Sequence, residues 1–294
     1  MDRRILALVD YKSKFGSKHF DSPYRSGMDK SLLQKYFNEY NFDISFKKFH
    51  EIDIRANSYK GINIIYTSSE DIGYYYKSYI EDIVLALEEC GANTIPSYKL
   101  LRANNNKVFM ELIRSIILKG DSLTSSVFGS LKDLEIGIDR LEFPCVLKES
   151  EGASGTGVHL IKSANELFSK VKAISKTKNI KEDLIDYLRF IKHKGYKRES
   201  RYRKKFIVQK FIKGLQNDWK IYIFGEKYYI FYRPILAGRG IKASGGGYDN
   251  YFYGINSTPP DGIFDFSKTI YELLQSPNLS IDVAYDGSNF YLIE

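Results

Sequence analysis

Along the first hundred residues, short apolar runs alternate with stretches of helical periodicity. Ile5–Val9 is a continuous apolar run ending at Asp10, and INIIY (62–66) is a second one, both consistent with buried strands. Ile80, Ile83, Val84 and Leu87 recur at helical spacing, and Gly91 stands where a left-handed cap ends a helix. Ile95-Pro96 then breaks the chain. Strand–helix alternation of this kind predicts a small parallel α/β domain ending near residue 104. The junction RANNN (102–106) is polar and turn-rich, and a helix is expected from about Lys107 to Leu118. Next comes FPCVLKESEGASGTGVHLIKS (143–163), two apolar runs around a glycine-rich centre. Ser163 with Glu166 three residues later predicts a capping box, and Leu167, Phe168, Val171 and Ile174 form the buried stripe of the helix it opens. The pattern then turns to strands: FIVQKFI, DWKIYIFG and KYYIFYRPI. A second glycine-rich stretch, GRGIKASGGGYDN (238–250), precedes a last helix and a terminal hairpin, SIDVAYDGSNFYLIE.

Composition narrows the class. The chain has 294 residues, enough for one large domain or two to three smaller ones, and 43% of them are hydrophobic. No run reaches the ~18 apolar residues of a membrane span, and MDRRILALVDYKS reads as a first strand, not a signal peptide. Cys90 and Cys145 lie far apart without a zinc or disulfide pattern, so a reducing cytoplasm is the expected location. His19, His50, His159 and His193 are equally scattered. The net charge is +8, and KHKGYKRESRYRKK (192–205) alone holds eight Lys or Arg against one Glu. A solvated loop and a lure for an anionic ligand both account for it. Nucleic acid is not favoured, because the basic residues are confined to one insert with no binding motif beside it.

The first glycine loop is neither of two familiar phosphate motifs. Gly157 is followed by Val158-His159-Leu160-Ile161, a strand, whereas a P-loop runs Gly-Lys-Ser/Thr into a helix. The order Gly152, Gly155, Gly157 is G-x-x-G-x-G between strands, not G-x-G-x-x-G at a strand-to-helix turn. Consecutive backbone N–H groups in such a turn still form an anion-binding concavity, and a plain hairpin tip remains the alternative. Lys148, four residues before the loop, can reach a phosphate held there from its strand.

Together these motifs resemble the ATP-grasp family over nearly the whole chain. They look most like its branch of ribosomal-protein glutamate ligases, glutathione synthetases and D-alanine–D-alanine ligases. FPCVLKESEGASGTGVHLI is similar to the family's strand, lysine and phosphate-covering loop. NKVFMELI is similar to the helix that brings a first nucleotide-contacting lysine, and VQKFI to the hinge that meets adenine. The resemblance implies an α/β architecture: an ATP-grasp fold of two α+β subdomains enclosing ATP, preceded by a small Rossmann-like α/β domain. The expected bounds are 1–104 for that first domain, 105–208 for the central subdomain and 209–294 for the C-terminal one.

The resemblance also implies roles. Lys107 and Lys148 would meet the α- and β-phosphates, and Ser154, Gly155, Thr156 and Gly157 would cover the β- and γ-phosphates. Gln209, Lys210, Phe211, Ile212 and Asp218 would complete the ATP site. Lys210 stands where the family usually has glutamate. Arg233, with Arg239 or Lys242 from the second glycine stretch, would hold the transferred phosphoryl group as the catalytic cations. Asp282 and Glu294 would bind Mg²⁺, which takes hard oxygen ligands alongside phosphate and water. A two-residue Asp286-Gly287 turn would put these two carboxylates on opposite sheet faces. An odd loop such as Asp286-Gly287-Ser288 is therefore expected, a bulge being the alternative. In the family an asparagine usually follows the metal glutamate by two residues; the sequence ends at Glu294, so it is either a truncated version or takes the remaining ligand from elsewhere.

The implied reaction activates a carboxylate with ATP and joins it to an amine. A phosphotransferase and a non-catalytic ATP-binding module are the rival readings. The expected partners are a small-molecule, peptide or sugar carboxylate and an amine acceptor, with an anionic substrate hinted at by the basic insert. Homodimerisation is left open.

Overall fold

The computed structural model describes residues 3–16, 26–56, 59–68, 71, 73–119, 123–152, 155–236, 241, 243, 250–254 and 257–294. The chain divides into two compact units, Met1–Arg102 and Ala103–Glu294.

In the first unit, strands β1 (Arg4–Val9), β2 (Asp43–Lys48), β3 (Asn63–Tyr66) and β4 (Asn93–Ile95) form one sheet in the order β2-β1-β3-β4. All pairings are parallel, with Ala7 opposite both Phe46 and Ile65. The central strand β1 is covered on both faces, which is why ILALV reads as an unbroken apolar run. Leu6 and Leu8 pack with Phe49, Ile64, Ile80, Val84 and Leu87, while Ile5 and Ala7 pack with Ile44 on the other side. The unit's helices are α1 (Lys30–Glu39), α2 (Tyr75–Glu89) and α3 (Tyr98–Ala103). Helix α2 ends at Cys90 as its spacing predicts: Gly91 has φ +82°, and the Ala92 N–H donates back to the Leu87 carbonyl at 3.0 Å.

The second unit holds two antiparallel four-stranded sheets. The first has the order β5-β8-β6-β7, from β5 (Ser125–Phe128), β6 (Cys145–Glu149), β7 (Val158–Ile161) and β8 (Phe206–Lys210). Leu147, Ile161, Phe206 and Val208 on its inner face pack against Leu134 of α5 (Leu131–Gly137) and Leu167 and Val171 of α6 (Ala164–Ile174). The second sheet has the order β10-β9-β11-β12, from β9 (Asn217–Phe224), β10 (Lys227–Pro234), β11 (Asn278–Tyr285) and β12 (Phe290–Leu292). Its core is Trp219, Ile221, Ile223, Ile281 and Val283 against Ile263 and Ile270 of α8 (Ile263–Leu274). Two further helices, α4 (Lys107–Ile117) and α7 (Ile180–Lys192), complete the unit.

The division between units falls between residues 102 and 103, beside the expected end near residue 104. Two other expectations meet differences. The expected 208/209 boundary lies inside β8, whose Gln209 pairs with both Ser125 and Val146, so the strand stays whole with the first of the two sheets. At α6 the capping box is half built. Ser163 accepts from the Glu166 N–H at 3.3 Å, but the Glu166 carboxylate accepts from Lys162 N–H at 2.7 Å, one residue ahead of the cap. Among the described residues no helix is long and apolar enough to cross a membrane.

Candidate nucleotide cleft

The glycine stretch is a strand-to-strand connection. β6 and β7 pair antiparallel, with Lys148 opposite Val158, and Glu149 N–H donates to the Gly157 carbonyl at 2.8 Å. Gly152, Gly155 and Gly157 have φ of +110°, +72° and +70°. A side chain at Gly157 would meet Glu149 Cβ at 2.9 Å, so the turn closes only with glycine there. This turn is tied to the start of α4. Lys107 N–H donates to the Ser150 carbonyl at 2.8 Å, and the Lys107 ammonium donates to the Gly152 carbonyl. Asn106 caps α4 by accepting from Phe109 N–H, and its side-chain oxygen also receives the Lys205 ammonium at 2.8 Å. The basic insert thus reaches this corner of the fold through Lys205.

Two adjoining cavities lie beside the turn. One, of about 90 Å³, is bordered by Lys107, Lys148, Gly155, Asp218, Asp282 and Glu294. The other, of about 150 Å³, is walled by Val146, Phe211, Ile212, Leu215, Ile235 and Ile293, with Gln209 and Lys210 at its edge. Lys148 borders both. Val158, Leu215, Ile235, Ile241 and Ile293 also line both, so the first compartment sets its charged groups beside an apolar wall that the second shares. Burial pulls the Lys148 ammonium below its ordinary pKa, while the carboxylates of Glu111 and Glu294 hold it up.

The charged floor comes from the β9–β10–β11 sheet. Asp218 and Arg233 are directly opposed, and Asp282 is opposite Lys220. Arg233 donates to both Asp218 oxygens, at 2.6 and 2.7 Å, and its Nη2 lies 2.6 Å from Asp282 Oδ2. Lys220 donates to Asp282 Oδ1 at 2.8 Å. Burial pushes the Asp218 carboxyl up to about 6; the Asp282 charge adds to the rise and Arg233 opposes it. Burial also works against the Arg233 charge, but the two carboxylates outweigh it and its pKa is raised.

The terminal hairpin corrects the expected odd loop. Tyr285 pairs with Phe290, leaving the four residues Asp286-Gly287-Ser288-Asn289. Asp286 explains the length, since its carboxylate accepts from the N–H groups of Ser288 and Asn289 at 2.9 and 2.8 Å. Simple alternation from an even loop would turn Glu294 away from Asp282. Instead, Ile293 and Glu294 N–H both donate to the Asp282 carbonyl, at 2.8 and 3.4 Å, and Asp282 N–H donates to the Glu294 carbonyl at 2.8 Å. Two residues facing one is a β-bulge, which re-aims a strand end. Asp282 and Glu294 both border the first cavity.

The sequence-derived residues distribute as follows. Lys107, Lys148, Gly155, Asp218, Asp282 and Glu294 come together around the first cavity, and Gln209, Lys210, Phe211 and Ile212 around the second. Arg233 is buried, held by Asp218 and Asp282. Thr156 and Gly157 belong to the hairpin and are not on either wall. Ser154, Arg239 and Lys242 lie outside the described residues. Sequence reasoning missed Lys220, although it stands two residues from Asp218 on the same strand face, a period-2 signal. It also missed Glu111, which accepts from Arg114, Ser125 and Gln209 beneath the cleft. As to a metal, Asp282 and Glu294 have the hard oxygens magnesium takes, and phosphate and water commonly supply its other ligands. Among the described residues no group of three or more His, Cys, Asp or Glu converges on one point.

No protein-family model matches the chain, and no curated protein matches its sequence. Its fold does match solved structures. The RimK domain ATP-grasp protein of Sphaerobacter thermophilus is 12% identical, with 99% of this chain and 89% of that one covered at a TM-score of 0.55. The N5-carboxyaminoimidazole ribonucleotide synthetase PurK, as its ADP complex, is 11% identical over 99% of this chain and 69% of that one, at 0.56. The D-alanine–D-alanine ligase of Bacillus anthracis is 14% identical over 98% and 85%, at 0.51. With its two antiparallel sheets, strand-to-strand glycine turn and two-compartment cleft, the chain has the ATP-grasp fold.

Proposed function

We propose that the protein is an ATP-dependent ligase that activates a carboxylate as an acyl phosphate and joins it to an amine, releasing ADP and phosphate. The observation that carries this reading is the meeting of Lys107, Lys148 and the Gly155 turn with Asp218, Asp282 and Glu294 around one cavity, against an apolar slot. The apolar slot suits a purine ring, with the Gln209–Ile212 segment at its rim. Lys107 and Lys148 neutralise phosphate charge from one side, and the turn's amides add donors that need no reorganisation. Magnesium held by Asp282 and Glu294 would offset the remaining phosphate charge. Lys220 and Arg233 fix the orientation of Asp282, so its carboxylate is preorganised. No covalent nucleophile is required, since positioning and charge neutralisation are the chain's contribution. The solved structures of similar fold include an ADP complex and an amino-acid ligase, which supports the same reading.

Calorimetric titration with ATP and Mg²⁺, followed by ADP release over panels of carboxylates and amines, tests it. Amide product with stoichiometric ADP is expected for some pair, and Asp282→Asn should lower that turnover by about 10²-fold or more. Phosphorylated product without amide would indicate a kinase. ATP binding without ADP release for every pair would indicate a binding module.

A further inference from the structure

Helix α7 turns Asp183 and Asp186 inward and an apolar stripe outward. Beneath it, Asp186 meets Lys178 at 2.9 Å and accepts from the Tyr196 hydroxyl at 2.5 Å, and Asp183 pairs with Arg198 at 3.2 Å and with Arg201. Asp186 is the helix's one buried residue among those described. Outward stand Ile180, Leu184, Tyr187, Leu188 and Ile191, spaced i, i+4, i+7, i+8 and i+11, with Ile185 and Phe190 at the margins. Ile180 is 84% exposed and Ile191 64%. In a globular protein a stripe at that spacing faces the core, and a contiguous exposed one marks a docking surface.

Charge selects the occupant. From Ile180 to Lys205 there are ten Lys or Arg and four Asp or Glu. Three of those acids, Asp183, Asp186 and Glu199, are engaged with Lys178, Arg198, Arg201 and Arg203. Lys181, Arg189, Lys192, Lys194 and Lys197 are exposed around the stripe. A second copy would bring two strongly positive surfaces together, which is repulsive. The stripe is also a convex helix face, not a groove. An apolar arc edged by long basic side chains and aromatic rings is the pattern of a helix lying in a lipid interface, where lysine stems reach the headgroups.

We propose that α7 and its basic flank dock the protein on an anionic lipid surface, with the helix axis in the membrane plane. The test is co-sedimentation of the full chain with vesicles of equimolar phosphatidylglycerol and phosphatidylcholine, against phosphatidylcholine alone. Binding is expected to the anionic vesicles only, and to fall in about 0.5 M salt. The triple variant Leu184→Ser, Leu188→Ser, Ile191→Ser should lose about tenfold or more of that affinity with an unchanged thermal midpoint, because these side chains are exposed. Equal sedimentation of variant and parent, or none of the parent, overturns the proposal. A dimer in light scattering that the triple variant dissolves, with no vesicle binding, would assign the stripe to a second copy instead.

Discussion

Arg233 of β10 lies directly across from Asp218 of β9 and grips both of its carboxylate oxygens, at 2.6 and 2.7 Å. The same guanidinium reaches Asp282 at 2.6 Å, so one cation serves two buried acids. Burial nonetheless outweighs the cation and pushes the Asp218 carboxyl up to about 6, against an ordinary 3.8. Between pH 3.8 and 6 Asp218 holds more proton in the folded chain than in the unfolded one, so its own contribution to stability falls across this window and levels off above it. The effect is on the order of 1–3 kcal/mol. Asp218→Asn should flatten that slope in urea unfolding measured between pH 4 and 7, and an unchanged slope would place the titration elsewhere.

Lys148 is a buried ammonium whose charge is disfavoured by desolvation. Its lowered pKa means that carrying the charge at neutral pH costs folding stability, a cost that fades as pH rises. Lys148→Met keeps the bulk and removes the charge. Thermal melting should show a midpoint raised by about 2–5 °C, while calorimetry shows nucleotide affinity reduced about tenfold or more. A variant that is destabilised and still binds nucleotide as well as the parent would contradict the role given to this lysine.

Glu111 is 1% exposed and receives Arg114 Nε at 2.8 Å, Ser125 Oγ at 2.6 Å and the Gln209 amide at 3.3 Å. Arg114 also donates to the Leu123 carbonyl at 2.6 Å. Glu111→Ala deprives a buried guanidinium of its carboxylate and should cost about 3–5 kcal/mol in urea unfolding. The double variant Glu111→Leu, Arg114→Met removes both charges and should cost no more than about half of that. Additive losses would show that the pair is not coupled.

The legible features are those that chemistry writes locally. Lys148 on a strand ahead of three glycines, Lys107 at the start of a helix, and a final hairpin bearing Asp282 follow from composition and periodicity alone. The length of α4 and the cap at Gly91 follow in the same way. Helix α7 is written locally as well, with Asn179 and Glu182 forming its capping box and Ile180, Leu184, Leu188 and Ile191 at helical spacing, but nothing local says that this stripe faces outward. Nor was the engagement of Arg233 by Asp218 and Asp282 legible, since it depends on the register of three strands distant in sequence.

The amino-acid order alone determined the apolar runs of β1, β3 and β6 to β12, which turn demands glycine, and which lysines and carboxylates exist to be assembled, because backbone preference and hydrophobic period act over a few neighbours. Tertiary structure decided the rest. Alternation told only that Asp282 and Glu294 sit twelve residues apart. Whether they share a face depended on how far the Asp286 side chain opened the loop and on Ile293 and Glu294 both bonding to one carbonyl. A hydrogen-bond register is a contest between competing pairings across a sheet, and no local window of sequence contains it.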